Sequence, residues 1–206
     1  FVRELVKDGM IKIVHFVSRK AMNIDGVGES VIEQLVEKQI INNPADLYML
    51  TKNDFLRLDN FGEKSAENAI NSIHESKKVP LNKLIFALGI PNCGETTAKS
   101  LSTKYQSLSL LVKAKYDDLR NIDDVGDIVA SSIVDYFKDQ DNLDMIDKLV
   151  GCGVEVKIEQ NKSDKFKDMV FVITGTLSLP RSEFEKIIED NGGKCSGSVS
   201  KKTTYL

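Results

Sequence analysis

The sequence predicts a mainly α chain. Four units of helix, tight hairpin and helix form two packed pairs, and a small, incomplete α/β segment (β-α-β-β) follows. Three observations carry this. A five-residue pattern recurs with its last glycines 34, 32 and 32 residues apart. An apolar stripe at helical spacing follows each recurrence. The final stretch switches to a continuous β-branched run.

Residues 1–22 read as a lead-in helix and junction, with His15 as a packing residue and Ser18 as the cap of a short helix. Residues 23–150 hold the repeat: Ile24-Asp25-Gly26-Val27-Gly28, Leu58-Asp59-Asn60-Phe61-Gly62, Ile90-Pro91-Asn92-Cys93-Gly94 and Ile122-Asp123-Asp124-Val125-Gly126. The third position holds Gly26, Asn60, Asn92 and Asp124, the residue types that best tolerate positive φ. The fifth is always glycine, which lets a backbone turn tightly or approach something closely. Four residues past it stand Ile32, Ala66, Ala98 and Ala130, and seven past it Leu35, Ala69, Leu101 and Ile133. That spacing lines one helix face with apolar groups, and the alanines admit a close partner helix. Helical patterns also precede the hairpins, over Lys52–Leu58 and Leu81–Leu88.

Residues 151–167 are expected as a linker, in which Val154 to Ile158 alternates as a short strand or extended stretch and 159–167 is polar. Lys77–Lys78 reads as a solubilising link between the two halves. Residues 168–206 change character. Met169–Thr174 has the composition of a buried strand. Pro180-Arg181-Ser182-Glu183 opens a helix through Ile188, with Ser178 or Ser182 as caps. Gly192-Gly193 ends it, and Lys194–Ser200 and Thr203–Leu206 read as two more strands. The segment ends on an apolar strand and reads as cut short.

The 206 residues, 41% hydrophobic and 29% charged, suit one or two soluble domains with a core. No apolar run nears the roughly 18 residues of a membrane span. The first residues lack a signal-peptide core, and without an initiator Met the chain is expected to be a fragment. Cys93, Cys152 and Cys195, odd in number and far apart, argue against disulfides and a Cys-rich zinc site, and for a reducing cytosol. The net charge is −3, split as −5 over residues 1–160 and +2 over 161–206. A broad basic surface is excluded, so any DNA contact must be local, through a few cations and backbone N–H groups.

The hairpin-to-helix entry has the physics of an anion site. Backbone N–H groups of the hairpin and first turn face outward, and the helix dipole favours negative charge there. Such contacts hold a DNA phosphate without reading sequence. Helical solenoids share the period, but lack a glycine hairpin entering the second helix. The expected DNA-backbone residues are Gly26 and Gly28 in the first unit, and Asn60, Gly62 and Lys64 in the second. The third contributes Asn92, Gly94, Thr96, Thr97 and Lys99, and Arg19 precedes the first hairpin. Units two and three are the strongest. Asp123, Asp124 and Asp127 repel phosphate from the fourth, which is expected to be structural. Arg19 and Lys20 read either as DNA contacts or as a solvated face.

No catalytic or metal-binding residues are expected. Only two histidines exist, His15 and His74, and there is no Ser/His/Asp set, Walker loop or H-E-x-x-H. Lys7-Asp8-Gly9 lacks the spacer of the K-x-D-G motif of adenylating ligases. Lys64 stands two residues after Gly62, as does the Schiff-base lysine of helix–hairpin–helix glycosylases, but Asn82 stands where those enzymes carry Asp.

The stretch from His15-Phe16-Val17-Ser18-Arg19-Lys20-Ala21-Met22 through Gly28 resembles the junction after the zinc finger in bacterial NAD+-dependent DNA ligases. In that family four helix–hairpin–helix units and a BRCT domain follow. Phe171-Val172-Ile173-Thr174-Gly175-Thr176-Leu177, with Arg181, Glu183 and Gly192-Gly193, resembles the first half of a BRCT domain. The resemblance covers residues 11–206. It implies the C-terminal part of an enzyme that seals nicks in duplex DNA in replication and repair, using NAD+, Mg2+ and a structural Zn2+. The family's nucleophilic lysine, nicotinamide pocket, OB-fold and zinc finger map to no residue here. The implied role is therefore non-catalytic and cofactor-free: gripping the backbone of nicked double-stranded DNA in the minor groove. The resemblance further implies a monomeric, cytoplasmic, nucleoid-associated protein without membrane contact, with a protein partner only through a complete BRCT domain. Thr174-Gly175 matches the phosphate-holding end of the first BRCT strand, but the second helix with its basic residue and the late aromatic helix have no counterpart. Two alternatives are a stand-alone helix–hairpin–helix module of a repair or recombination protein, and a protein-interaction scaffold. The first would not require the His15–Met22 preface. The second predicts little salt-dependent DNA binding.

Overall fold

The computed structural model describes residues 2–157, 164–175, 181–200 and 203–205. The chain divides into two compact units, Phe1–Lys157 and Ile158–Leu206. The first contains α1 (Val2–Val17), α2 (Glu29–Glu37), α3 (Lys52–Leu56), α4 (Glu63–Glu75), α5 (Leu81–Ala87), α6 (Glu95–Tyr105), α7 (Leu108–Val112), α8 (Tyr116–Arg120), α9 (Asp127–Lys138) and α10 (Gln140–Gly151). It also holds a 3-10 turn, Pro44–Met49, and the strands β1 (Lys78–Pro80) and β2 (Glu155–Lys157).

The repeat is built as its pattern predicts. The third hairpin residues all take positive φ, +79° at Gly26, +62° at Asn60, +61° at Asn92 and +65° at Asp124. The stripe residues Ile32, Ala66, Ala98, Ala130, Leu35, Ala69, Leu101 and Ile133 are all 0% exposed. Fully burying one Leu or Ile stabilises by roughly 1.5–3 kcal/mol, so this stripe holds the helices of a unit against its partner.

The units pack in pairs, and in the first pair each hairpin leans on the other unit's second helix. The Asp25 N–H donates to Ser72 Oγ on α4 (2.7 Å), and the Asp59 N–H donates to Gln34 Oε1 on α2 (2.7 Å). Ala69 makes room for this, since a Cβ on Gly26 would lie 3.8 Å from its Cα. In the second pair, Asn92 Nδ2 donates to Ser132 Oγ and the Tyr136 hydroxyl to the Leu88 carbonyl, both from or to α9.

Besides an exposed Lys20–Glu95 ion pair, three ties hold the pairs together. His15 Nε2–H donates to the Phe86 carbonyl at 2.7 Å, fulfilling its expected packing role. Asp46 accepts from the Asn42 and Asn43 N–H groups and pairs with Lys148 of α10 at 2.5 Å. Burial opposes ionisation of Asp46, but Lys148 and the two N–H groups outweigh it and hold the carboxyl below its usual range. The third tie is the sheet. Val79 pairs in parallel with Val156, and the Glu155 N–H donates to the Lys77 carbonyl at 2.7 Å. Val79 and Val154 are each 4% exposed. Lys78 thus opens a strand rather than only solubilising a link. Glu155–Lys157, in the stretch expected as linker, pair within the first unit.

Ser18 differs from expectation. It follows the last residue of α1, and its carbonyl accepts the N–H groups of Ala21 and Asn23. It shapes the turn after a long helix and caps no helix start.

In the second unit, β3 (Val170–Val172) pairs in parallel with β4 (Lys194–Ser196), and α11 (Arg181–Asp190) supplies the crossover that parallel strands require. The predicted buried strand is only partly covered. Val172 is 8% exposed, while Val170 and Phe171 are half-buried beside a two-stranded sheet. The predicted last strand contributes a single bridge, Phe171 to Tyr205, whose rings stack. Gly193 is a packing requirement, because a Cβ there would come within 2.7 Å of Ile188. Ser178 lies outside the described residues.

Candidate nucleic-acid interface

Four helices, α2, α4, α6 and α9, start directly after the repeat's last glycine. Gly28, Gly62, Gly94 and Gly126 have φ of −83°, −96°, −80° and −82°, with ψ within 7° of 180°. Any residue adopts that extended backbone. A Cβ at each of the four would meet nothing within 4 Å. The fold therefore makes no steric demand for glycine at these positions.

Glycine also leaves the helix starts uncapped. No side chain accepts from the first turn of these four helices. Elsewhere in the same unit Asn43, Ser107 and Asp139 do cap. Replacing a standard Asn, Asp, Ser or Thr cap with glycine leaves first-turn N–H groups facing outward with open space in front of them. An approaching anion needs that combination.

The expected contacts fall into three groups around these openings. Lys64 is exposed at the second position of α4, and Thr96 and Lys99 are exposed on α6. Arg19 is exposed in the turn before the first hairpin. Gly26, Asn60 and Asn92 shape their turns through positive φ, and the Asn92 amide is engaged with Ser132. Thr97 is the correction. It is 7% exposed, on the inner face of α6 with Ala98 and Leu101, so its side chain is withdrawn from the surface.

The structure adds ion pairs at these openings that sequence reasoning missed. The first helical residue after every one of these glycines is acidic: Glu29, Glu63, Glu95 and Asp127. A carboxylate there complements the helix dipole. Three of them are paired with cations from elsewhere in the chain. Lys52 Nζ lies 2.5 Å from Glu63, Lys20 Nζ 2.7 Å from Glu95, and Arg120 Nε 2.7 Å from Asp127. Asp127 also accepts from the Tyr116 hydroxyl at 2.7 Å. Hydrogen bonding to its glutamate raises the pKa of both Lys20 and Lys52. At the fourth hairpin Asp123 and Asp124 are exposed as well, with Ile128 72% exposed where the other units carry Ser30, Lys64 and Thr96.

The remaining chemistry is sparse. Among the described residues no group of three or more His, Cys, Asp or Glu side chains could hold a metal ion. Burial pushes the Cys93 thiol up to about 11, away from reactivity. Among the described residues no helix is long and apolar enough to cross a membrane. In the second unit Gly175 follows β3 with φ +82°, and the Arg181 guanidinium donates to the Ile173 carbonyl.

Comparison with known proteins agrees with this geometry. Residues 18–75 match the SAM-like helix–hairpin–helix tandem, residues 83–146 a helix–hairpin–helix motif, and residues 161–206 the BRCA1 C-terminus (BRCT) domain. The DNA ligase of Geobacter metallireducens is 46% identical over 196 residues, covering 94% of this chain and 29% of that protein. Those of Clostridium novyi and Clostridioides difficile are 45% and 43% identical, each covering 94% of this chain and 30% of the relative. The chain thus spans about 30% of the length of the curated relatives it matches. Helix–hairpin–helix matches thus fall in the first unit and a BRCT match in the second, and the chain is similar along nearly its whole length to a part of these DNA ligases.

Proposed function

We propose that this chain is the DNA-gripping, C-terminal portion of an enzyme that seals nicks in duplex DNA during replication and repair. The observation that carries the reading is the set of four N-cap glycines. Their backbone angles and surroundings accept a side chain, yet all four lack one, and the helices behind them are left uncapped. Phosphate oxygens approaching hairpins 2 and 3 meet first-turn N–H groups, with Lys64, Thr96 and Lys99 beside them. N–H groups read no bases, so the grip is indifferent to sequence and sets the protein's register on the backbone. Two hairpin pairs provide separated footholds along the minor groove.

Residues 1–22 then serve as junction, 23–157 as the DNA-binding domain closed by its last strand, 158–167 as linker and 168–206 as the start of a BRCT domain. Catalysis belongs to the parent protein. NAD+, Mg2+ and a structural Zn2+ are its cofactors in this reading, and no residue of this chain is assigned to hold them. The protein works as a cytoplasmic, nucleoid-associated monomer.

The test is binding of the purified 206-residue chain to nicked and intact duplexes across a salt series. Binding that weakens with salt along a shallow slope supports a grip on few phosphates. Absence of binding at low salt refutes it.

A further inference from the structure

We infer that Lys52 and Lys20 are phosphate-gripping residues of hairpins 2 and 3, held by Glu63 and Glu95 in the free protein and passed from carboxylate to phosphate when DNA arrives. The inference rests on the function proposed above and adds residues and an exchange step to it.

Two cations from unrelated places converge on the same feature. Lys52 is the first residue of α3, and Lys20 lies in the turn after α1. Each reaches the carboxylate that immediately follows an open N-cap glycine, at 2.5 Å and 2.7 Å. Both pairs face solvent, with side-chain exposures of 43% and 73% for Lys52–Glu63 and 72% and 53% for Lys20–Glu95. Exposed pairs of this kind add little to stability, so opening them costs little. An ammonium is a point charge with three rotatable donors on a flexible stem, and it can change acceptor without backbone movement.

A phosphate entering the N–H groups behind Gly62 or Gly94 brings negative charge close to Glu63 or Glu95. The lysine between them then faces the summed field of the DNA polyanion, and pairing with a phosphate releases a condensed counterion. This also accounts for how an acidic chain meets DNA: its carboxylates neutralise the lysines until a phosphate replaces them. Hairpin 4 is built differently. Asp127 is held by both Arg120 and Tyr116, and Asp123 and Asp124 stand beside it.

The experiment measures binding of the full chain to a nicked duplex at several salt concentrations. The variants are Lys52→Met, Lys20→Met, Glu63→Gln, Glu95→Gln and the double variant Lys52→Met/Glu63→Gln. Each lysine variant is expected to flatten log K against log[salt] by about 0.9, widening its affinity gap to the parent about 3-fold between about 200 and about 50 mM salt. The glutamine variants bind more tightly. The double variant binds more weakly than Glu63→Gln alone, with the flatter slope. If Lys52 only neutralised Glu63, the double variant would match Glu63→Gln in affinity and slope, and the inference would fall while DNA binding stood. Unchanged slopes in both lysine variants overturn it equally. A parent chain that fails to bind at low salt removes the function itself. Circular dichroism confirms that each variant is folded.

Discussion

Replacing Gly62 and Gly94 together by alanine separates what the fold needs from what DNA needs. At both positions φ is negative and a Cβ meets nothing within 4 Å. Alanine is a poorer N-cap than glycine by a few tenths to about 1 kcal/mol. It also removes unfolded-state freedom worth about 0.4–1 kcal/mol in the opposite direction. The two nearly cancel, so stability should change by less than about 0.5 kcal/mol per site, or roughly 1–2 °C in Tm for a chain of this size. Binding should respond very differently. A hydrogen bond to a charged group contributes about 1.5–3 kcal/mol, and losing one at each hairpin costs about 3 kcal/mol or more. At 1.4 kcal/mol per decade that is about a 100-fold weaker Kd for duplex DNA. Fluorescence anisotropy with a labelled nicked duplex and a thermal melt on the same samples give both numbers. A folded double variant that binds like the parent would refute the assignment of hairpins 2 and 3 as phosphate cradles. A large drop in Tm would show that the glycines serve the fold after all.

Other outcomes follow from the same geometry. Gly126→Ala should weaken DNA binding less than Gly94→Ala, because Asp123, Asp124 and Asp127 already oppose phosphate at the fourth hairpin; the reverse order in anisotropy would overturn the ranking. Gly26→Val should destabilise by about 1–2 kcal/mol, since φ there is +79°, whereas Gly26→Asn should cost well under 1 kcal/mol because Asn tolerates that region. Chemical denaturation distinguishes them. Asp46, held below its usual pKa of 3.8, stabilises the fold fully above that value and loses the contribution as pH falls through its lower folded value. An acid series of melts should therefore show a steeper decline for the parent than for Asp46→Asn, which should already be less stable at neutral pH.

The repeat was legible because each unit states its own geometry locally. Glycine, Asn or Asp at the third hairpin position encodes positive φ, and the stripe through Ala66, Ala69, Ala98 and Leu101 encodes a buried helix face. Thr97 was misplaced although its spacing was informative: it precedes Leu101 by one helical turn and so shares the buried face. The carboxylate pairs were not legible. Lys52 meets Glu63, and Lys20 meets Glu95, only after a hairpin folds back or two units dock, and no local pattern encodes either meeting. The same holds for Asp25 with Ser72 and Asp59 with Gln34. The strand at Lys78–Pro80 was hidden because three residues ending in proline carry too little pattern, and its partner lies far along the chain. In the second unit the apolar run at Met169 correctly marked a strand, but the two-stranded sheet leaves Val170 and Phe171 half-covered.

The pairing of Val79 with Val156 joins residues 77 positions apart, far longer than the loops closed inside either hairpin pair. Loop-closure entropy makes such a contact slow relative to local ones. During synthesis, the hairpins of the first pair can form before those of the second have emerged, although both pairs finally share one buried core. The parallel strands can form only once residue 157 is free of the ribosome. Assembly is therefore vectorial: local hairpins first, then a late strand clasp that adds to the other ties between the pairs. A chain stalled before residue 157 would have folded hairpins without the strand clasp between its halves.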